Sequence, residues 1–407
     1  MKNILVITYW SYKEALIQSY TLPYLKIISR VLPANSYIYL FTLEKTSYII
    51  EQNELHEIKN ELLKHRIKLI SFTYNSFGFR ALASTPKTII SLFKLIRKEN
   101  IKKIHCWCTP AGAFGYFLSI LSGVPLIIDS FEPHAESMVE NGTWKKNSLA
   151  YQLLFKLEKL QANRAITLIG LTKSMENYAK EKYGTPIKEY YVKPACVDLE
   201  KFNPFTESSL ESEINKIDIK GKTIGIYAGK TGGIYLDQEI FDLFKTACDF
   251  WDGNFLAIIL TSESKEKIKQ YIEKSGIPDH NIIIINATHE QVPLYMKLAH
   301  FAINPVKPVP SKMYCTSIKD GEYWAMGLPV IITPNISDDS EIIESYDAGV
   351  VLKECNTKEY LNCISAIDQL LKKESNVNLK NRIRKIAEKY RNFKIAENIY
   401  KKIYLSK

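Results

Sequence analysis

The chain has 407 residues, 46% of them hydrophobic and 24% charged, with a net charge of +10. That length fits two domains of ordinary size, and that balance belongs to a globular protein rather than a disordered one. The longest apolar stretch, 111–128, is broken by Gly115, Gly123 and Pro125, so it reads as core and not as a membrane span.

Residues 3–8, Asn-Ile-Leu-Val-Ile-Thr, read as a strand, too short and too strand-like for a secretory leader, so a cytosolic protein is expected. Strands follow at 37–42, 67–73, 103–107, 125–129, 165–171 and 188–193. Helices are predicted between them at 51–64, 85–99, 111–121, 147–163 and 173–182. Short, apolar, β-branched strands alternating with helices predict an α/β protein with a parallel, doubly wound sheet. A polar stretch at 203–220 interrupts the series. A second series opens at 223–228 and continues through strands at 255–260, 282–285, 301–304, 330–333 and 349–352. A helix is expected at 290–299. Helices at 360–372 and 379–390 close this series, and a last helical segment covers 393–404.

Seven scattered cysteines, with no Cys-x-x-Cys and no histidine pair at zinc spacing, predict that most are buried thiols and that there is no metal centre. The sequon at Asn141 carries no meaning without secretion. Charge is unevenly spread. Residues 1–200 hold 26 basic and 17 acidic side chains, a balance of +9, and the remainder holds 28 and 27, a balance of +1. An anionic partner for the first half is expected, either a membrane surface or a lipid-phosphate acceptor. No nucleic-acid-binding fingerprint is visible, so no nucleic acid is expected.

Two segments carry chemistry. In Ser317–Pro329, Lys319 precedes Glu322 by three residues, which puts both on one face of a helix's first turn. The free backbone N–H groups of a helix N-terminus there, with the Lys319 ammonium, can hold an anion. Glu322 can accept two hydrogen bonds from a vicinal diol. Phosphate beside ribose describes a nucleotide; the plain alternative is a surface Lys–Glu pair. The second segment is Tyr227-Ala228-Gly229-Lys230-Thr231-Gly232-Gly233, at the end of the first strand of the second series. Backbone at such a glycine turn can approach phosphate closely. It is not a P-loop, because Ile224 stands where that motif requires glycine.

Lys319, Glu322, Tyr323, Ala325, Gly327, Pro329, Val330 and Ile331 match the donor-site signature Lys-x-x-Glu-Tyr-x-Ala-x-Gly-x-Pro-Val-Ile. The chain therefore resembles the retaining glycosyltransferases of family 4, of bacterial surface-glycan type. The resemblance implies the GT-B fold: two Rossmann-like, doubly wound domains facing a cleft, with a C-terminal helix crossing back to the first. The implied divisions are 1–200 for the acceptor side, 201–388 for the nucleotide sugar, and 389–407 for the returning helix. Val197, Asp198, Phe202 and Pro204 resemble the family's interdomain connection.

The same resemblance assigns a site. Gly229, Lys230, Asn286, Ala287, Tyr314, Ser317, Ile318, Lys319 and Glu322 would bind the donor, with Lys230 and Lys319 facing the diphosphate. Asn286 and Ala287 lie where the family holds the nucleobase on backbone groups. Tyr314 occupies the first slot of the family's Glu-x7-Glu, so its hydroxyl or nearby backbone N–H groups would contact the donor sugar. Asp129-Ser130-Phe131-Glu132 resembles the family's Asp-x-His-Glu, with Phe131 in the histidine slot and His134 two residues on. Either Glu132 or His134 would reach the donor sugar, while Asp129 is open to a simple capping role. The aromatic loop 9–15 stands where relatives carry a glycine pair, and either meets the acceptor or packs. The implied reaction moves a sugar from a nucleotide-diphosphate sugar to an acceptor hydroxyl without a metal or other cofactor. The implied acceptor is a lipid-linked surface glycan at the inner face of the membrane. A non-catalytic subunit of a glycan-assembly complex and a sugar-nucleotide epimerase remain the alternatives.

Overall fold

The computed structural model describes residues 2–74, 79–186, 188–206 and 217–405. Much of the expected polar linker, 207–216, lies outside these. The chain forms two compact units, Met1–Lys193 with Phe393–Lys407, and Pro194–Asn392. Sequence reasoning put the divisions after residues 200 and 388. Segment 194–198 instead bonds within the second unit: Ala195 N–H donates to Thr316 Oγ1 at 2.8 Å and Val197 N–H to the Arg391 carbonyl at 2.8 Å.

The first unit is built on seven parallel strands. They are β1 (Asn3–Ile7), β2 (Ile38–Glu44), β3 (Ile67–Thr73), β4 (Ile101–Trp107), β5 (Leu126–Phe131), β6 (Thr167–Gly170) and β7 (Tyr190–Val192). Their order is β3-β2-β1-β4-β5-β6-β7. Every residue of β1 and β5 is buried, as strands covered on both faces require. Helix Thr109–Ser122 lies close on the sheet because Gly115 has no side chain; a Cβ there would sit 2.2 Å from Cys106 Sγ.

Two helices of this unit escaped the sequence reading. Leu22–Val31, entered through a π-helical turn at Leu16–Thr21, is buried over most of its length and exposes only Lys26 and Arg30. His134–Glu140 is only two turns long. The C-terminal helix Phe393–Leu405 completes the unit. It packs on Leu22–Val31, with the Tyr24 ring 5.3 Å from Phe393 and 6.3 Å from Tyr400.

The second unit holds six parallel strands: β8 (Thr223–Ala228), β9 (Phe255–Leu260), β10 (Ile282–Ile285), β11 (Phe301–Asn304), β12 (Val330–Ile332) and β13 (Gly349–Val351). The order is β10-β9-β8-β11-β12-β13. Apolar clusters fill both faces of this sheet. One gathers Ile226, Ile258, Trp324 and Ile383, and the other Phe241, Phe255, Ile303 and Ile364. The strand order of the second unit reverses between β8 and β11, which in parallel sheets opens a crevice beyond the strands' C-terminal ends.

Candidate functional site

Three loops of the second unit leave the C-terminal ends of β8, β10 and β11. The loop after β8 carries Gly229, whose φ is +156°. A Cβ on Gly229 would lie 2.7 Å from Lys319 Cε and 3.1 Å from its Nζ, so the loop backbone rests on that side chain. Lys319 Nζ sits 3.9 Å from the centroid of the Tyr235 ring, a cation–π contact that sequence spacing could not show. The Ala228 N–H donates to Tyr323 Oη at 3.0 Å, tying the end of β8 to helix Ile318–Ala325. The Tyr227 hydroxyl donates to the Lys230 carbonyl and shapes the turn, while the Lys230 side chain is exposed.

The loop is braced from behind by Glu263, which the sequence reading missed. One carboxylate oxygen accepts both the N–H and the hydroxyl of Thr231, each at 2.6 Å, and the other pairs with Lys267. Burial alone would raise this carboxyl; the Lys267 and Thr231 hydrogen bonds outweigh it and hold Glu263 below its ordinary value.

Ser317 is the N-cap of helix Ile318–Ala325, and its side chain makes no capping hydrogen bond. An uncapped first turn is open to an anion. The Ser317 N–H itself donates to Asp339 Oδ2 at 3.3 Å, so this backbone group already has a partner. Asp320 is fully buried and accepts from Asn304, the last residue of β11, at 2.7 Å. Burial first and the neighbouring Asp339 second push Asp320 well above the carboxylate range, while Asp339 is bonded by Arg391.

Lys319 and Glu322 do not form the plain surface pair. Lys319 lies on Tyr235, whereas Glu322 Oε1 is 3.3 Å from Nε2 of His289, in the loop after β10. Asn286 is exposed in that loop, and Ala287 packs against the core. Ile318 packs there too, while Tyr314 is part-buried at the end of the 3-10 turn Pro310–Tyr314. The structure thus brings Gly229, Lys319 and Glu322 together with Tyr235 and His289, two residues absent from the predicted set.

In the first unit, a register shift between Ile128 and Phe131 accompanies Ser130 at φ +51°. Phe131 is buried against Tyr183, with ring centroids 6.1 Å apart, and so cannot replace a solvent-facing histidine. Glu132 Oε1 lies 3.0 Å from His134 Nδ1, and both side chains are part-buried. Behind them, Glu158 accepts the Ala135 N–H at 2.8 Å and the Tyr183 hydroxyl at 2.9 Å. Burial pushes the Glu158 carboxyl up to about 8, beyond what those two hydrogen bonds recover.

Asp129 is more than a loop cap. It is fully buried and accepts from Tyr400 at 2.8 Å and Ser130 N–H at 2.6 Å. His105 Nε2 and Lys193 Nζ each lie 3.2 Å away. Burial would raise its carboxyl, but Lys193 and His105 hold it below its ordinary value. Lys193 is itself fully buried, 3.8 Å above the Tyr24 ring. Loop 9–15 is packed rather than open: Tyr12 is buried, its N–H bonded to Glu44 at 3.1 Å, and the Ser11 N–H bonds Glu14 at 2.8 Å. Among the described residues, no helix is long and apolar enough to cross a membrane.

The chain matches no protein-family profile. It is 32% identical over 146 residues to the Escherichia coli UDP-Gal:alpha-D-GlcNAc-diphosphoundecaprenol alpha-1,3-galactosyltransferase. That stretch covers 36% of this chain, and the chain spans about a third of that relative's length, 34%. Likeness to solved structures is much longer. HepE of Anabaena in complex with UDP-glucose covers 100% of both chains at a TM-score of 0.72 and 14% identity. WaaG, a glycosyltransferase involved in lipopolysaccharide biosynthesis, covers 100% of both at 0.70 and 13%. The fold is GT-B, with two Rossmann-like units and a C-terminal helix that returns to the first.

Proposed function

We propose that this chain is a glycosyltransferase that moves a hexosyl group from a nucleotide-diphosphate sugar to an acceptor hydroxyl. One observation carries the proposal. The Lys319 ammonium is pressed between the Gly229 backbone and the Tyr235 ring at a helix N-terminus, with a carboxylate, Glu322, one turn further on. A diphosphate suits the first part and a ribose diol the second. The relative's UDP-Gal donor and the UDP-glucose held by HepE support the same chemistry.

In the reaction, the bond from the anomeric carbon to the phosphate oxygen breaks and the leaving diphosphate takes the electron pair. The acceptor oxygen bonds to that carbon on the same face, and its proton passes to the departing phosphate, so configuration is retained. Lys319, with Lys230 and the helix N–H groups, meets the growing negative charge, where fixed donors stabilise a transition state most. Tyr314, by its hydroxyl or nearby backbone N–H groups, is assigned to the donor sugar, Ile318 to the donor through the same helix start, and Asn286 and Ala287 present backbone to the base. The Glu132–His134 pair is assigned to sugar or acceptor hydroxyls. The acceptor is a glycan on a lipid diphosphate, as in the relative's name, within surface-polysaccharide synthesis and in peripheral contact with an anionic membrane.

The test is donor hydrolysis over a panel of UDP-, GDP- and ADP-sugars. Nucleoside diphosphate should be released from one family of donors, should persist with a chelator, and should fall in Lys319→Ala. A rearranged nucleotide sugar without released diphosphate would reveal an epimerase. Binding without either product would reveal a non-catalytic subunit.

A further inference from the structure

We propose that Lys201, His289 and Glu322 form a relay that positions the Glu322 carboxylate to read ribose hydroxyls. This rests on the nucleotide-sugar reading and adds two positioning residues to it. The Lys201 ammonium has only protons to give, so it donates to His289 Nδ1, 2.7 Å away. The histidine's own proton is therefore on Nε2, which donates to Glu322 Oε1 at 3.3 Å. Glu322 keeps Oε2 and its full negative charge for a vicinal diol.

His289 is exposed, and further contacts hold the relay's members in place. Lys201 also bonds Glu290 at 2.7 Å and is mostly covered despite its charge. Its backbone N–H donates to Asp198 Oδ1 at 3.1 Å. Arg384 clamps the surrounding segment, donating to the carbonyls of Leu199 at 2.6 Å and Phe202 at 2.6 Å. The same guanidinium reaches the Ala325 carbonyl at 2.5 Å, on the very helix that carries Glu322. The Phe202 ring stands 5.7 Å from the imidazole, edge to face, and limits its rotation. Asp198 and Phe202 of the run Val197-Asp198-x-x-x-Phe202 thus hold Lys201 and His289 in place. A glutamate so held loses little side-chain freedom when a ligand binds.

The test is calorimetric binding of UDP, GDP, ADP and CDP, each compared with its 2′,3′-dideoxy form. The tightest binder should prefer the diol over the dideoxy form by roughly ten- to a hundredfold, the range of a hydrogen bond to a charged group. His289→Phe, which keeps the ring against Phe202 but donates nothing, should cut that preference about tenfold while dideoxy affinity stays put. His289→Gln, whose amide can donate to Glu322, should restore most of it. Lys201→Met should lower the preference as His289→Phe does. If Glu322→Ala loses the preference but His289→Phe and Lys201→Met retain it in full, the relay is wrong and the ribose assignment stands. If Glu322→Ala retains the preference, or none of the four diphosphates binds, the nucleotide assignment falls and the relay with it.

Discussion

Glu158→Gln isolates one buried carboxyl as the origin of a pH-dependent stability. Glu158 lies under the helix that begins at His134, bonded by the Ala135 N–H and the Tyr183 hydroxyl. Its carboxyl is pushed from an ordinary 4.5 up to about 8, chiefly by burial. A group raised on folding stabilises fully below its unfolded value, and that stability is lost as pH rises through the folded value. At about 1.36 kcal/mol per unit, the wild type should lose roughly 3 kcal/mol between pH 5 and pH 8 from this group alone. Glutamine keeps an acceptor for Ala135 and a partner for Tyr183 but cannot ionise. The Tm of Glu158→Gln should therefore pull ahead of wild type as pH rises, by roughly 6–12 °C at pH 8 for a cooperative unit of this size. Above pH 9 the gap should stop widening. Thermal unfolding followed by circular dichroism from pH 5 to 9 measures it. A constant gap across that range would refute the assignment of a neutral, buried Glu158.

Other outcomes follow from the same geometry. Lys193→Met should strand Asp129 without its buried cation and destabilise the first unit by roughly 3–5 kcal/mol, read as a lower denaturation midpoint. Lys319→Ala should slow donor turnover by about 10²-fold while weakening nucleoside binding far less, and Lys230→Ala should do so to a smaller extent; wild-type turnover in both would remove them from the diphosphate. The full chain should bind vesicles containing anionic lipid at low salt and leave them at high salt, each lysine near the surface contributing about 1 kcal/mol. Equal binding to neutral vesicles would sink the electrostatic account of the basic first half.

The alternation of buried strands and helices was legible in the sequence because apolar period is a local property. Thus β8 to β13 stand where their Ile- and Val-rich segments predicted, and 318–325 forms a helix from the Lys-x-x-Glu spacing. The glycine turn after β8 and the placing of Lys319 and Glu322 on one helix were legible for the same reason, since each depends on residues a few positions apart. What those side chains touch was not. Spacing would pair Lys319 with Glu322, but Tyr235 takes the lysine and His289 the glutamate, both delivered by loops from other strands. Nothing in the sequence marks Glu158 or Lys193 as buried. Only packing buries the first beneath His134 and Tyr183 and sets the second against Asp129 and Tyr24. Charge burial and partner choice depend on desolvation and on distances between residues far apart in the chain, so only the tertiary structure could decide them.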